Sequence, residues 1–320
     1  MIARLRTQRV MLAMACLLLI GLGLRLYNLN WDDGHHVHPD ERWITMVAMD
    51  TWAPDDLSDV FNPRRSALNP YWNVRDNQPR RFAYGSFPLY LVRASATAIS
   101  GFATATGLMP EWRRANDYDH LNLLGRFLSA ISDTLTIGLI FLLGRRVYGV
   151  KVGLLAAALL TFTVQHIQLA HFYAFDVVTA TVVVAALYFG ARVVQEGRLS
   201  DSLWLGAMTA LAIASKFSAV PLLAVVVLAH TLRPVLRWQT VHGPRPASAL
   251  GIVANPPLVL SGEMSSEVSR ATLGLMLSLL SVVVVFAIAS PFSLLDFNGY
   301  VASLSEQSDM VRGVADFPYT

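Results

Sequence analysis

The stretch that decides the fold spans residues 10–43 and reads VMLAMACLLLIGLGLRLY (10–27) followed by NLNWDDGHHVHPDERW (28–43). The first part is apolar and long enough to cross a bilayer as a helix. The second part crowds carboxylates, histidines and tryptophans directly after it, which predicts polar side chains at the membrane–water boundary. Asp40 and Glu41 are adjacent here, and we predict that Asp40 caps a short helix beginning at Glu41. The alternative interpretation is a solvated loop whose acids only cap that helix.

Composition indicates that the whole chain belongs in a membrane. Hydrophobic residues make up 54% of it and charged residues 15%, whereas a soluble domain carries about 25% charged residues. Several further apolar runs have about 18 residues or more, so we predict an all-α polytopic membrane protein. Cys16 is the single cysteine, which excludes disulfides and cysteine-based metal sites within one chain.

Hydropathy predicts seven spanning helices. They cover residues 10–27, 121–143, 152–170, 177–194, 203–215, 219–232 and 272–290. A further apolar patch at residues 87–102 is shorter and carries Arg93. We therefore predict that this patch lies along the membrane surface instead of crossing it.

The distribution of arginine and lysine decides the predicted orientation. With residues 87–102 on the surface, the basic clusters before residue 10 and near residues 145, 195 and 235 all fall on one side of the membrane. That side is predicted to be cytoplasmic, together with the N-terminus. The short connections on the other side hold almost no basic residue except Lys216. We predict a multi-pass protein of the plasma membrane.

This topology divides the chain into segments. Residues 1–290 form the transmembrane module, with a long first extracytoplasmic loop at about 28–120 and a flexible cytoplasmic linker at about 233–269. Residues 291–320 begin a second outer loop, and we expect the chain to be part of a longer protein. The first outer loop is rich in Pro, Asn, Asp and Arg, so we predict surface helices at 41–52 and 87–102 but no folded domain.

Charged residues within the predicted spans are candidate functional groups, because a charge in a membrane helix is costly and usually faces the bundle interior. Arg126 and Asp133 are two helical turns apart and so lie on one face. For Asp133 an ion pair with Arg126, separate interhelical bonds and a substrate role all remain open. Arg126 lies near the outer end, where we favour a functional role. Lys216 is isolated in its outer connection, which favours anion binding over mere snorkelling.

Two more polar residues border the short connection HFYAFD between predicted spans. His171 and Asp176 should therefore both lie at the outer surface. Asp176 is either a substrate-binding group or simply the N-cap of the next helix.

A divalent metal is a candidate cofactor. His35, His36 and His38 stand beside the acidic pair and have ligand chemistry suited to zinc or manganese. Their spacing alone does not define a tetrahedral site, so the metal remains one alternative among several.

Five motifs occur in order along the chain. They are HPDE (38–41), YGSFPLYL (84–91), GRFLSAISDTLTIGLIFLLGRRVYG (125–149), AHFYAFD (170–176) and LAIASKFSAVP (211–221). In these motifs the chain resembles the GT-C superfamily of integral-membrane glycosyltransferases, in the branch of protein O-mannosyltransferases and the lipid A aminoarabinose transferase. Relatives of the latter carry a lysine in the second motif that is missing here, and Arg80 or Arg81 are the candidate replacements.

The resemblance implies a seven-helix GT-C module and roles for individual residues. The acid after the first helix is the catalytic base in this family, which maps onto Asp40, with Glu41 as its neighbour. The donor is a polyprenyl-phosphate sugar, and basic residues near the outer face bind its phosphate; Lys216 and Arg126 match. The candidate substrate-binding residues are His171, Asp176 and Tyr84.

We therefore predict an inverting, hexosyl- or mannosyltransferase-like enzyme. It would move a sugar from a polyprenyl-phosphate carrier in the membrane to an acceptor hydroxyl of a glycan, lipid or protein on the extracytoplasmic face. No nucleic-acid partner is predicted. The alternative is a transporter or flippase of an anionic lipid-linked substrate, and a non-catalytic family member is a third reading. Transporters tend to show internal repeats and helices broken at mid-membrane, whereas polar groups here cluster at one face.

Overall fold

The computed structural model describes residues 2–242 and 260–314, and these contain twelve α-helices. They are α1 (Ile2–Leu26), α2 (Pro39–Met49), α3 (Phe87–Thr106), α4 (Tyr118–Tyr148), α5 (Val150–Thr161), α6 (Val164–Ala170), α7 (Phe175–Glu196), α8 (Leu199–Ile213), α9 (Leu222–His242), α10 (Leu260–Ala289), α11 (Phe292–Leu295) and α12 (Phe297–Val311). Two short antiparallel strands, β1 (Trp72–Asn73) and β2 (Gln78–Pro79), form a hairpin.

Within these ranges five helices are long and apolar enough to cross a membrane. They are Thr7–Leu26, Tyr118–Tyr148, Phe175–Glu196, Phe217–Arg237 and Met264–Ala289. α5 and α6 make a sixth span if they count as one, because they are bent by 58° at a short break. α8 has 15 residues, fewer than the roughly 20 that a straight span needs. The all-α polytopic membrane fold is confirmed, but the predicted count of seven spanning helices is not exact.

The membrane helices pack through apolar and small residues. α7, α8, α9 and α10 share one core, and α1, α4 and α5 share a smaller one. Gly206 of α8 lies so close to α10 that a Cβ would come within 2.2 Å of the Ser278 carbonyl oxygen. The Ser278 hydroxyl donates to the Ser202 carbonyl at 2.7 Å. Small residues and serine hydrogen bonds of this kind let membrane helices approach closely.

α2 begins two residues earlier than predicted. Its N-cap is His38, whose Nδ1 accepts the Glu41 backbone N–H at 3.3 Å, and Pro39 opens the first turn. Proline suits this position because the N–H that it lacks would have no partner there. The prediction that Asp40 caps the helix is wrong, so its carboxylate is not used as a cap.

The predicted first outer loop is packed, although the sequence predicted only two surface helices there and no folded domain. Ile44, Phe82 and Leu89 are fully buried in one core together with Phe292 of α11. The Tyr71 hydroxyl hydrogen-bonds the Ser293 hydroxyl at 3.0 Å, across 222 residues of sequence. The loop and the segment after α10 therefore form one structured layer on the helix bundle.

α3, the segment predicted to lie along the surface, has 20 residues but is less apolar than the five candidate spans. Its buried face packs into the same core. The predicted cytoplasmic linker is also partly helical, because residues 233–242 belong to α9 and residues 260–269 to α10. Residues 243–259 of that linker lie outside the described residues.

Candidate active site

Asp40 lies on the wall of an open cleft of about 730 Å³ between α2, the β-hairpin and α12. Its side chain is exposed, and Tyr84 lines the same cleft. Arg80 and Arg81, the candidate replacements for the missing lysine, also border the cleft. They are already paired, Arg80 with Asp50 at 2.7 Å and Arg81 with Glu306 at 2.9 Å. Asp40 is therefore the carboxylate of the acidic pair that is exposed to the cleft, where it interacts with Tyr84.

The backbone of the second motif (84–91) is hydrogen-bonded to the turn between α8 and α9. The Gly85 N–H donates to the Ser215 carbonyl and the Phe87 N–H to the Ala214 carbonyl, each at 3.0 Å. A Cβ on Gly85 would fall 1.9 Å from the Ala214 carbonyl oxygen, so no larger residue fits without moving the backbone. This close approach positions Tyr84 beside the residue that follows Ser215, which is Lys216.

Lys216, Asp176 and Tyr84 form one polar group with Asp40. The Lys216 Nζ donates to Asp176 Oδ1 at 2.7 Å and lies 5.9 Å from the centre of the Tyr84 ring. Burial raises the pKa of Tyr84, and the negative charges of Asp40 and Asp176 raise it further. Lys216 and Asp176 remain 35% and 46% exposed. The N-cap of α7 is Ala174, so Asp176 does not cap that helix.

Arg126 lies in a different environment, fully buried between two carboxylates. Its Nε and Nη2 donate to Glu41 at 2.7 and 2.8 Å, and Nη1 and Nη2 donate to Asp32 at 2.9 and 2.7 Å. Nη1 also donates to the Leu29 carbonyl at 3.2 Å. A guanidinium has five N–H groups, so all of its donors are used.

This buried arginine cluster changes the predicted roles of Arg126 as a phosphate-binding residue and of Glu41 as a neighbour of the base. Arg126 has no N–H left for a donor phosphate, and Glu41 accepts a further hydrogen bond from the Tyr173 backbone N–H at 2.7 Å. Both residues therefore act in the structure as a link between α2, α4 and the α6–α7 turn. Asp32 completes the cluster and was missed from the sequence, although it stands in the same acidic segment. Hydrogen bonds from Arg126 lower the pKa of Asp32 to about 2.

Asp133 belongs to a second buried cluster and does not pair with Arg126. It accepts from Arg25 Nε at 2.5 Å and hydrogen-bonds His166 Nδ1 at 2.7 Å. Arg25 also donates to the carbonyls of Leu160 and Thr161 at 3.2 and 3.3 Å. These carbonyls end α5 at the bend, and Arg25 gives them side-chain partners within the membrane helices.

His171 lies outside the Asp40 group. Its two ring nitrogens lie 2.7 Å from the Ile167 carbonyl oxygen and 2.9 Å from the Tyr27 carbonyl oxygen. The side chain thus ties the end of α6 to the end of α1. The structure gives this residue a connecting role and no contact with the cleft.

The three histidines considered as metal ligands take separate partners. His35 Nδ1 contacts the Asp32 carbonyl, His36 Nε2 contacts Asp119, and His38 caps α2. Among the described residues no group of three or more His, Cys, Asp or Glu side chains is arranged to hold a metal ion. The predicted histidine site does not form in this arrangement.

Comparison with known proteins shows which families and structures the chain is similar to. Residues 120–260 match the family described as dolichyl-phosphate-mannose-protein mannosyltransferase. Among solved structures the chain is similar to the oligosaccharyltransferase of Archaeoglobus fulgidus, determined in complex with Zn and sulfate, at 16% identity and a TM-score of 0.47. That alignment covers 94% of this chain and 39% of the other. No curated protein matches the chain significantly.

The family match covers part of the candidate site. Lys216, Asp176 and Arg126 lie within the matched residues, whereas Asp40 and Tyr84 precede them. The match includes three of the five motifs and supports the resemblance that they carry. Over residues 120–260 the chain is therefore similar to this mannosyltransferase family, and its all-α membrane fold agrees with the GT-C resemblance.

Proposed function

We propose that the chain transfers a sugar from a polyprenyl-phosphate carrier to an acceptor hydroxyl, with inversion at the anomeric carbon, on the extracytoplasmic face. One observation carries this proposal. An exposed carboxylate, Asp40, borders an open cleft together with Tyr84, and an accessible cation, Lys216, lies 5.9 Å from the centre of the Tyr84 ring. The cleft can admit an acceptor while the cation receives the donor phosphate.

The chemistry is a single displacement. Asp40 accepts the proton of the acceptor hydroxyl as its oxygen attacks the anomeric carbon. The bond from that carbon to the carrier phosphate breaks, and the electron pair leaves with the phosphate oxygen. Lys216 stabilises the negative charge that develops there. Because attack and departure occur on opposite faces of the sugar, its configuration inverts.

Lys216 can release Asp176 and bind a phosphate at a low cost in free energy. Its present partner, Asp176, is half exposed, and ion pairs that water can reach contribute only about 0.2–1 kcal/mol. A phosphate oxygen can replace the Asp176 carboxylate without leaving a buried charge unpaired. Arg126 lacks this freedom because both of its carboxylate partners are buried.

The orientation rests on the positions of charge in the fold. At the end of the helix bundle opposite Asp40, arginines form pairs such as Arg146–Glu196 at 2.6 Å and Arg233–Glu267 at 3.1 Å. Basic helix ends favour the cytoplasmic side, which supports an outward-facing cleft.

In a cysteine-free background, single cysteines at the exposed Ser58 and Tyr148 test this orientation. We expect an impermeant maleimide to label intact cells at Ser58→Cys only, and labelling at Tyr148→Cys alone would invert the topology.

The function is tested by incubating the purified protein with polyprenyl-phosphate hexoses and candidate acceptors. Mass spectrometry should detect release of polyprenyl phosphate and a hexose added to an acceptor, and NMR of the product should show the opposite anomeric configuration. Retained configuration would contradict the single displacement. Movement of labelled lipid across a liposome bilayer without any product would favour the transporter.

A further inference from the structure

A second pocket lies at the far end of α2 from Asp40. It has a volume of about 390 Å³ and is lined by Met49, Trp52, Arg75, Arg93, Asn116 and Asp117. We call it the Arg93 pocket. None of these residues borders the cleft at Asp40, so the pocket is separate from the proposed transfer site.

Arg93 has an unusual position for an arginine. In the described parts of the chain it has no hydrogen-bond or ion-pair partner, and its Nε is buried. Burial and the neighbouring positive charge of Arg75 lower its pKa. A partly desolvated cation without a counter-charge is costly, and an anion bound in the pocket would remove that cost.

The surrounding charges leave an excess of positive charge. Asp50 is shared by Arg75 at 3.2 Å and Arg80 at 2.7 Å, so one carboxylate serves two arginines. Asp117 is paired with Arg114 at 2.6 Å and does not neutralise Arg93. An entering anion therefore meets a net positive field.

The polar atoms indicate which anion fits. The Asn116 Oδ1 is also buried without a partner, so it can accept a hydrogen bond from a hydroxyl. Two guanidinium groups can share the oxygens of one tetrahedral phosphate, whereas a planar carboxylate suits one bidentate fork. We propose that the Arg93 pocket binds a phosphate ester with neighbouring hydroxyl groups, held by Arg93, Arg75 and Asn116.

Two sources share this chemistry, a lipid headgroup and a soluble phosphate ester. Exposed apolar residues follow Arg93 on α3 and the turn after it, namely Phe102, Leu108 and Met109. An apolar edge next to basic residues is typical of segments that lie on a membrane surface. The structure therefore favours the headgroup of an anionic lipid.

The test compares Arg93→Gln with Arg113→Gln, an exposed arginine on the same surface outside the pocket. Thermal unfolding is followed in uncharged detergent during titration with glycerol 3-phosphate, and in nanodiscs of phosphatidylglycerol or phosphatidylcholine. We expect Arg93→Gln to weaken phosphate-ester binding by about tenfold or more, while Arg113→Gln responds as the wild type does. Arg93→Lys, which keeps the charge but not the fork, should retain part of the affinity.

The two sources give different results. Stabilisation by phosphatidylglycerol over phosphatidylcholine that Arg93→Gln abolishes supports a lipid headgroup. Stabilisation by glycerol 3-phosphate alone that the same variant abolishes supports a soluble ester. Without phosphate ester, Arg93→Gln should unfold at the wild-type temperature or above, because Arg93 makes no bond to lose. Equal responses of wild type, Arg93→Gln and Arg113→Gln to both probes would overturn the proposal.

Discussion

Asp40 and Glu41 are neighbours in sequence and first-turn residues of the same helix, yet they occupy opposite environments. Glu41 is fully buried, and both carboxylate oxygens accept hydrogen bonds from Arg126. Asp40 is exposed beside an open cleft. The difference arises because consecutive residues of a helix point about 100° apart, so only one of the pair can face the bundle. A saturated buried ion cluster holds the fold together, whereas an exposed carboxylate beside a cleft is accessible to an acceptor.

The two cations at this end of the bundle differ in the same way. Arg126 uses all five of its N–H groups on buried acceptors. Lys216 has one half-exposed partner, Asp176. We therefore expect the buried arginine cluster to control stability. The open group around Asp40 and Lys216 is expected to control turnover.

Asp40→Asn should produce the largest effect. The amide keeps the shape of the side chain but cannot accept a proton, so the transfer rate should fall by about 100- to 10,000-fold. Donor binding and thermal stability should stay near wild type. The measurement is the single-turnover rate with a radiolabelled polyprenyl-phosphate sugar, and Asp55→Asn, an exposed acid of the same loop, is the control. A wild-type rate for Asp40→Asn would remove Asp40 as the base.

Arg126→Gln should act on stability. It leaves the buried carboxylates of Asp32 and Glu41 without a counter-charge, and breaking a buried ion cluster in this way costs about 3–5 kcal/mol. We expect a markedly lower unfolding temperature in detergent, measured by intrinsic tryptophan fluorescence. Arg42→Gln, on the exposed face of α2, should leave that temperature unchanged. If Arg126→Gln instead keeps the fold and selectively weakens donor binding, the structural assignment of Arg126 is wrong.

Lys216→Ala should weaken donor binding by about 1.5–3 kcal/mol, the scale of a charge-assisted hydrogen bond. Lys216→Arg should recover part of the affinity because it retains the positive charge. Equilibrium binding of the polyprenyl-phosphate sugar measures this, with Lys151→Ala, an exposed lysine at the opposite end of the bundle, as the matched control. Unchanged affinity in Lys216→Ala would assign the phosphate to another residue.

Asp176→Asn should give the smallest change. Removing a half-exposed partner of Lys216 alters the free energy of unfolding by about 0.2–1 kcal/mol. Because Asp176 competes with phosphate for Lys216, donor affinity should rise by up to about fivefold. The same binding assay measures the rise. A loss of affinity would mean that Asp176 contacts the donor directly, which is the substrate-binding alternative that the sequence left open.

Local patterns predicted much of the fold and part of the site. Long apolar runs must form helices in a membrane because no water is present to satisfy their backbone groups. Each of α1, α4, α7, α9 and α10 therefore overlaps a predicted span, although α9 ends later and α10 begins earlier than predicted. The predicted span at residues 203–215 corresponds to α8, which is too short to count as a straight span. Asp40 and Lys216 were identified by motif and by charge, which are both properties of short segments.

The sequence by itself therefore determined a polytopic helical membrane protein, the GT-C resemblance and the segments that carry the candidate chemistry. Only the tertiary structure decided which charges pair. Arg126 meets Asp32 across 94 residues, and Arg25 meets Asp133 across 108. The physical reason is that helix periodicity specifies which face a side chain occupies, whereas ion pairing depends on which distant helix packs against that face. That packing left Asp40 open and enclosed Glu41, and no local pattern records it.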